Sequence, residues 1–268
     1  MIGLGSYSFF WQQSAANVNA LSLDEVFVET ANLGIGLFQI CDFAPLEQMS
    51  DLEVSQAAAK AKSLGLKIEL GTKGIEPARL SRYLELAKLF EGQLVRSMIF
   101  SDEFKPSNKE AIDSLKQEIR AFENAGVVLA LETYEQISTG DLVEIVSAVD
   151  SPNLGICLDP ANVVARLESP KACVEIAASW ARSIHVKDFE FARQDGWVGF
   201  SFSGAKMGSG LHDYEHLLAT VQPRTRGINE IVEHWISWQG SIEATVAKEK
   251  QWTKDSINYL RSTEWTET

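Results

Sequence analysis

Apolar residues along this chain fall into short dense runs, separated by longer stretches in which they recur every three or four positions. The dense runs are residues 2–8 (IGLGSYS), 35–42 (IGLFQICD), 66–71 (LKIELG), 93–100 (QLVRSMIF), 127–134 (VVLALETY), 153–159 (NLGICLD), 183–189 (SIHVKDF) and 228–235 (INEIVEHW). Runs this short and this apolar read as strands covered on both faces, as in a parallel sheet. The stretches between them carry helix signals. Ser22 with Glu25, Ser50 with Glu53 and Ser107 with Glu110 each have the spacing of a reciprocal N-terminal cap. Gly34, Gly65, Gly92 and Gly126 follow helical stretches, where a left-handed residue closes the last turn. Residues 241–262 read as a final helix. Repeated strand-then-helix units over 268 residues predict a (β/α)8 TIM barrel, one domain spanning 1–268. An open doubly wound sheet is the alternative.

One connection breaks the rhythm. Residues 190–210 are rich in glycine and hold Trp197, Phe200 and Phe202. Long loops inside compact domains are more often functional than idle, so this segment is expected to close over a bound ligand as a lid. Packing of the loop itself is the competing reading of its aromatics.

Composition narrows the setting. Three cysteines (Cys41, Cys157, Cys173), odd in number and widely spaced, argue against a disulfide framework and for a reducing, cytoplasmic compartment. The apolar start MIGLGSYSFF lacks Lys and Arg and reads as a strand rather than a signal peptide, and no run is long enough to span a membrane. A net charge of −13 opposes general affinity for nucleic acid or anionic lipid. A small-molecule partner is expected, and a homo-oligomer is compatible with the sequence.

In a barrel of this kind the chemistry sits where strands end. Glu132, Asp159, His185 and Glu233 stand at or near the ends of four consecutive predicted strands, each after apolar residues. Crowded buried carboxylates resist ionising together, and a divalent cation relieves the repulsion. Three oxygen donors and one nitrogen suit Mn²⁺ first, then Mg²⁺, Co²⁺ or Fe²⁺, with Zn²⁺ admitted. Any one of these residues alone is more often a cap, a salt-bridge partner or a satisfied core residue. The convergence of all four supports the metal reading. Lys187, two residues beyond His185 and so on the same face, is placed to meet a substrate oxygen. Asn162, just past Asp159, and Arg193 and Trp197 in the long connection complete the expected substrate contacts. Arg96, Lys73 and Lys206 are weaker candidates for anions, and Glu230 rivals Glu233.

The stretches LALETY, GICLDPAN, SIHVKDF, GSGLHDYEHLL and EIVEHW, in this order, resemble the xylose isomerase-like TIM barrel superfamily of sugar and sugar-phosphate isomerases and epimerases. The resemblance implies that Glu132, Asp159, His185 and Glu233 bind one metal. It also implies that Glu132 and Glu233 act as catalytic residues moving protons on opposite faces of a small sugar through an enediolate. Isomerisation or epimerisation is the first expectation. The alternatives are a dehydratase or other lyase acting on a keto-sugar or inosose, and a catalytically silent sugar-binding barrel. His212, Glu215 and His216 match an inverted zinc-protease pattern, but they lie in a unit that the barrel already explains and read as a solvated helix face. Repair endonucleases of the same superfamily resemble histidine-rich sites on basic surfaces, which the acidity of this chain opposes.

Overall fold

The computed structural model describes residues 1–43, 45–194, 196 and 198–263. Its strands are β1 (Ile2–Gly5), β2 (Leu37–Cys41), β3 (Lys67–Gly71), β4 (Leu94–Ser97), β5 (Val128–Glu132), β6 (Leu154–Leu158), β7 (Ala181–Val186), β8 (Asp188–Arg193), β9 (Phe200–Ala205) and β10 (Asn229–Val232). The helices are α1 (Leu23–Asn32), α2 (Pro45–Gln48), α3 (Asp51–Ser63), α4 (Pro77–Leu89), α5 (Asn108–Ala125), α6 (Thr139–Val149), α7 (Pro170–Ala177), α8 (Tyr214–Val221), α9 (Pro223–Arg226) and α10 (Ile242–Ser262). Strands β1 to β7 and β10 close in that order into a barrel, and each neighbouring pair is parallel. This is the expected (β/α)8 architecture.

Local chemistry sets the helix ends. Ser22, Ser50 and Ser107 each accept from the amide three residues on, and the glutamate there returns the bond to the serine amide. Gly34, Gly65 and Gly126 adopt positive φ as expected. Gly92 does not: the left-handed residue after α4 is Glu91, at φ 54°. Gly92 is needed for a different reason, since a Cβ there would stand 2.8 Å from the Ile68 carbonyl oxygen.

Alternate residues of each barrel strand face opposite ways. Leu4, Phe38, Ile40, Leu70, Val95 and Ile156 face outward into the core beneath the helices. Each such buried side chain contributes roughly 1.5–3 kcal/mol. The inward faces are different. A small apolar plug of Leu94, Ala130 and Cys157 fills part of the lumen. Polar and charged side chains occupy much of the remaining interior, among them Gln39, Glu69, Arg96, Ser183 and His185, all buried. Glycines make room for neighbouring inward side chains: a Cβ on Gly3 would meet Leu37 and Ile231, and one on Gly71 would lie 2.2 Å from Cys41 Sγ.

The segment 190–210 is not one irregular loop. The predicted strand 183–189 is two elements, because β7 ends at Val186 and β8 begins at Asp188. β8 then pairs antiparallel with β9, from Asp188 opposite Ala205 to Arg193 opposite Phe200. Alternating aromatics, Phe189 and Phe191 on one strand and Phe200 and Phe202 on the other, favour this hairpin over an unstructured lid. It docks on the barrel where the Gly204 amide donates to the Trp235 carbonyl, a contact that a Cβ on Gly204, 2.3 Å from that oxygen, would block. Among the described residues no helix is long and apolar enough to cross a membrane. The three cysteines are buried and free.

Candidate metal centre and active site

Strand β5 carries Glu132 out of the lumen as its last residue, and β6 delivers Asp159 one residue beyond its end. β7 holds His185, followed by Lys187, and Glu233 follows β10 directly. The exits of β5 and β6 are tied by Thr133, whose hydroxyl donates to the Asp159 carbonyl and accepts from the Asp159 amide. Asp159 Oδ1 accepts from the amides of Ala161 and Asn162. Those bonds orient the carboxylate and leave Oδ2 facing the lumen.

The four residues meet around one ring nitrogen. His185 Nδ1 lies 3.4 Å from Glu132 Oε1, 3.4 Å from Glu233 Oε1 and 3.7 Å from Asp159 Oδ2. His185 Nδ1 and Glu233 Oε1 are buried with no hydrogen-bond partner. Donors about 2.1 Å from a common divalent ion, at roughly 90–110° to one another, stand about 3.0–3.5 Å apart. The His185–Glu132 and His185–Glu233 spacings and the orphaned atoms fit a cation, with the carboxylates forming two groups that share His185, Glu132 with Asp159 on one side and Glu233 on the other. His185 Nε2 meets Gln39 Oε1 at 2.8 Å, and Gln39 Nε2 donates to Glu69 Oε2 at 3.0 Å.

Two cations balance the carboxylates. Arg96 forms a close ion pair with Glu132 Oε2 and donates to the Thr72 carbonyl. Lys187 Nζ lies 2.5 Å from Asp159 Oδ2 and 2.9 Å from Glu233 Oε2, 4.7 Å over the Trp235 ring. Burial pushes the Glu132 carboxyl up, but Arg96 and His185 more than offset this and hold it well below the usual carboxylate range. Burial disfavours the Lys187 ammonium, yet Asp159 and Glu233 keep its pKa above the ordinary value. Cys41 also approaches His185 and Glu233. Burial pushes its thiol up, against Arg96, and Sγ donates to Gln39 Oε1 at 3.0 Å, so it is a protonated neighbour rather than a thiolate donor.

Above the cluster opens a cleft of about 520 Å³, walled by Tyr7, Trp11, Lys73, Tyr134, Phe202 and Trp235. The Trp11 indole donates to the Ile236 carbonyl, and Glu249 of α10 accepts from the amides of Trp11 and Gln12. These bonds fasten the loop after β1 to the chain after β10. Tyr7 donates to Asp42 Oδ2, and Lys73 lies 3.4 Å from Asp42 Oδ1.

The structure thus brings together Glu132, Asp159, His185, Lys187 and Glu233. Asn162 lines the same cleft, and its Nδ2 donates to Glu132 Oε1 at 2.7 Å. Arg193 is not brought to the cleft: it is exposed on the hairpin, its guanidinium 4.7 Å over Phe200. Trp197 lies outside the described residues. Glu230 faces the helices, bonded by Tyr214 and 3.8 Å from Arg224, which leaves Glu233 as the β10 carboxylate at the site. Lys206 pairs with Asp255 at 3.1 Å. His212 and His216 do not share a helix face, because α8 begins only at Tyr214, with Asp213 as its cap. Sequence reasoning missed Gln39 and Glu69 and treated Arg96 only as a weak anion contact. The available signal was a polar residue in the interior of each of three mostly apolar strands, Gln39 in β2, Glu69 in β3 and Arg96 in β4.

A model of the xylose isomerase-like TIM barrel family matches residues 27–263. The chain is 46% identical over 259 residues to the 3-oxo-isoapionate decarboxylase of Pectobacterium atrosepticum, covering 97% of this chain and 94% of that protein. A crystal structure of D-psicose 3-epimerase in the presence of D-fructose superposes with a TM-score of 0.73 at 14% identity, over 97% of this chain and 98% of that one. A xylose isomerase-like TIM barrel protein from Mycobacterium smegmatis, in complex with magnesium, superposes with a TM-score of 0.69 at 16% identity, covering 97% of both chains. At these identities the two solved structures speak for the fold.

Proposed function

The chain belongs to the xylose isomerase-like TIM barrel family, and we propose that within it the chain is a divalent-metal-dependent lyase that decarboxylates a small 3-oxo sugar acid. The observation that carries this reading is the 46% identity, over 97% of the chain, with a decarboxylase of 3-oxo-isoapionate. The strand-end cluster supplies chemistry that such a reaction needs.

Decarboxylation of a 3-oxo acid breaks the bond between the carboxyl carbon and its neighbour. The electron pair moves into the adjacent carbonyl, carbon dioxide leaves, and the enolate that remains must take up one proton. Glu132, Asp159, His185 and Glu233 would hold one ion, Mn²⁺ or Mg²⁺ by the hardness of an oxygen-rich set. When bound, that ion would supply Lewis-acid stabilisation of negative charge on the carbonyl oxygen.

The chain's own residues do the rest. Arg96 keeps Glu132 anionic, which suits a ligand and not a proton donor. Lys187 Nζ is aimed by Asp159 and Glu233; it gives one proton to the carbon that lost carbon dioxide and regains one from water in the cleft, the hydroxide left behind combining with the released carbon dioxide as bicarbonate. Asn162 Nδ2 offers a donor to a substrate oxygen. Lys73, half exposed on the cleft wall, draws in an acidic substrate. The Phe202–Trp235 pair, ring centroids 5.4 Å apart, walls the cleft on the hairpin side. An isomerase or epimerase would use a closely related enediolate and return the proton to a sugar carbon, so the site alone serves either reaction and the relative's activity favours decarboxylation.

The test is a panel of branched and linear 3-oxo sugar acids in D₂O with Mn²⁺. Carbon dioxide should be released, one deuterium should appear at the carbon that bore the carboxyl group, and a chelator should stop both. If no acid loses carbon dioxide while ketoses exchange their C3 hydrogen, the epimerase reading replaces this one.

A further inference from the structure

A line of hydrogen bonds runs down the lumen from the proposed metal site to the opposite mouth of the barrel. His185 Nε2 meets Gln39 Oε1 at 2.8 Å, Gln39 Nε2 donates to Glu69 Oε2 at 3.0 Å, and Asn229 Nδ2 donates to Glu69 Oε1 at 2.6 Å. The Met1 ammonium donates to Asn229 Oδ1 at 3.2 Å. The parallel register puts Gln39 beside Glu69, and Ile231, two residues past Asn229, beside His185. Gln39, Glu69 and His185 are all buried.

The direction of each bond follows from the chemistry of Glu69. Burial raises the Glu69 carboxyl, and the Asn229 and Gln39 amides oppose that rise by bonding its charged form, which only accepts. Both of its oxygens are taken by amide donors, so Gln39 turns Nε2 toward Glu69 and Oε1 toward the imidazole. Cys41 Sγ donates to the same Oε1 at 3.0 Å, which agrees with that orientation. An oxygen facing His185 Nε2 requires a hydrogen there, which leaves Nδ1, among the three carboxylates, as the nitrogen able to ligate.

We infer that Glu69, acting through Gln39, is a positioning residue that selects the His185 tautomer able to ligate a divalent cation at Nδ1. The inference rests on the metal reading above and adds to it a control located on the far half of the barrel. A flipped Gln39 amide would present a donor to Nε2, drive the hydrogen to Nδ1 and block the ligand position. Residues beyond the direct ligands that fix a ligating histidine typically alter metal affinity about 10–100-fold.

The test uses the full chain and two readouts. Mn²⁺ affinity is measured by chelator competition, and the ring is read by long-range ¹H–¹⁵N NMR on the Zn²⁺-loaded wild-type protein. The wild-type spectrum should show the His185 hydrogen on Nε2 and Nδ1 ligated. Glu69→Gln, which keeps the shape but adds a donor, should weaken Mn²⁺ binding about 10-fold or more. The swap Glu69→Gln with Gln39→Glu restores an acceptor facing the ring and a donor behind it, and should recover most of the loss. A wild-type hydrogen on Nδ1 would overturn the inference without recourse to any variant. So would Glu69→Gln binding Mn²⁺ within about twofold of wild type, or a swap that recovers nothing. Wild-type protein that takes up no ion would overturn the metal reading and this inference with it.

Discussion

The two halves of the barrel do different work with the same kind of strand. The half made of β5, β6, β7 and β10 places its functional groups at the rim, where Glu132, Asp159, His185, Lys187 and Glu233 gather within a few ångströms. The half made of β1 to β4 keeps its polar groups lower, inside the strands: Gln39 and Glu69 support the histidine, and Arg96 neutralises Glu132. It also makes room for neighbouring side chains, through Gly3, Gly5 and Gly71. A crowded anionic rim is tolerable because Lys187 balances it from within and the opposite half adds a second buried cation, an orienting amide and room. Removing a rim residue should therefore cost activity first, whereas removing a supporting residue should cost stability or ligand geometry first.

The division should break most visibly at the proposed ligands. Asp159→Ala and His185→Ala are expected to lose the bound ion and to lower turnover by about 10²–10³-fold or more, as elemental analysis and initial rates would show. Retention of both ion and turnover by these variants would mean that the rim is not the working half. The next largest effect belongs to the supporting half. Arg96→Met leaves the Glu132 charge buried without its cation and should reduce unfolding free energy by about 3–5 kcal/mol in urea. Added Mn²⁺ should return part of that loss, because an ion at the proposed site would face the same carboxylate. A change under about 1 kcal/mol would remove Arg96 from its neutralising role.

A pH effect should arise where the halves are fastened together. Burial pushes the Glu249 carboxyl up to about 7, against the lowering effect of the Trp11 and Gln12 donors. The folded chain thus binds this proton more tightly than the unfolded one. Its contribution to stability is full below the unfolded value and is lost as pH rises through about 7. Urea unfolding should report a decline of about 1–3 kcal/mol across that window, absent in Glu249→Ala. An identical slope in both proteins would assign it to other groups. The smallest expected effect tests the room that glycine makes. A Cβ on Gly5 would stand 3.2 Å from Ile231 Cγ2 and 3.3 Å from Glu233 Oε1. Gly5→Ala should cost about 1 kcal/mol and displace Glu233 enough to weaken Mn²⁺ binding several-fold. Unchanged stability and affinity would show that β1 tolerates a methyl group and that its glycines are not spacers.

Much of the fold was legible in the chain itself. Each barrel strand overlaps one of the dense apolar runs, since a strand buried on its outer face by helices must be apolar at every second position at least. The three serine–glutamate caps are local, formed within four residues, and so depend on nothing distant. The rim residues were legible for a related reason: a charged side chain at the end of a buried run is conspicuous, and strand ends of a barrel converge whatever lies between them. The hairpin was harder to read. Its strands pair only with each other, and its glycines resemble those of a loop until Gly204 is seen against the Trp235 carbonyl.

Sequence alone therefore determined the repeating strand–helix order, the capped starts of three helices and the identity of the groups at the rim, because these follow from periodicity and near-neighbour chemistry. Tertiary structure decided which polar residues inside the strands face the lumen together. Gln39 and His185 are 146 positions apart, and Asn229 and Glu69 are 160 apart. Bonds of that span depend on closure of the barrel and on strand register. A shift of one residue would turn Gln39, Glu69 and Arg96 out of the lumen and into the apolar layer beneath the helices.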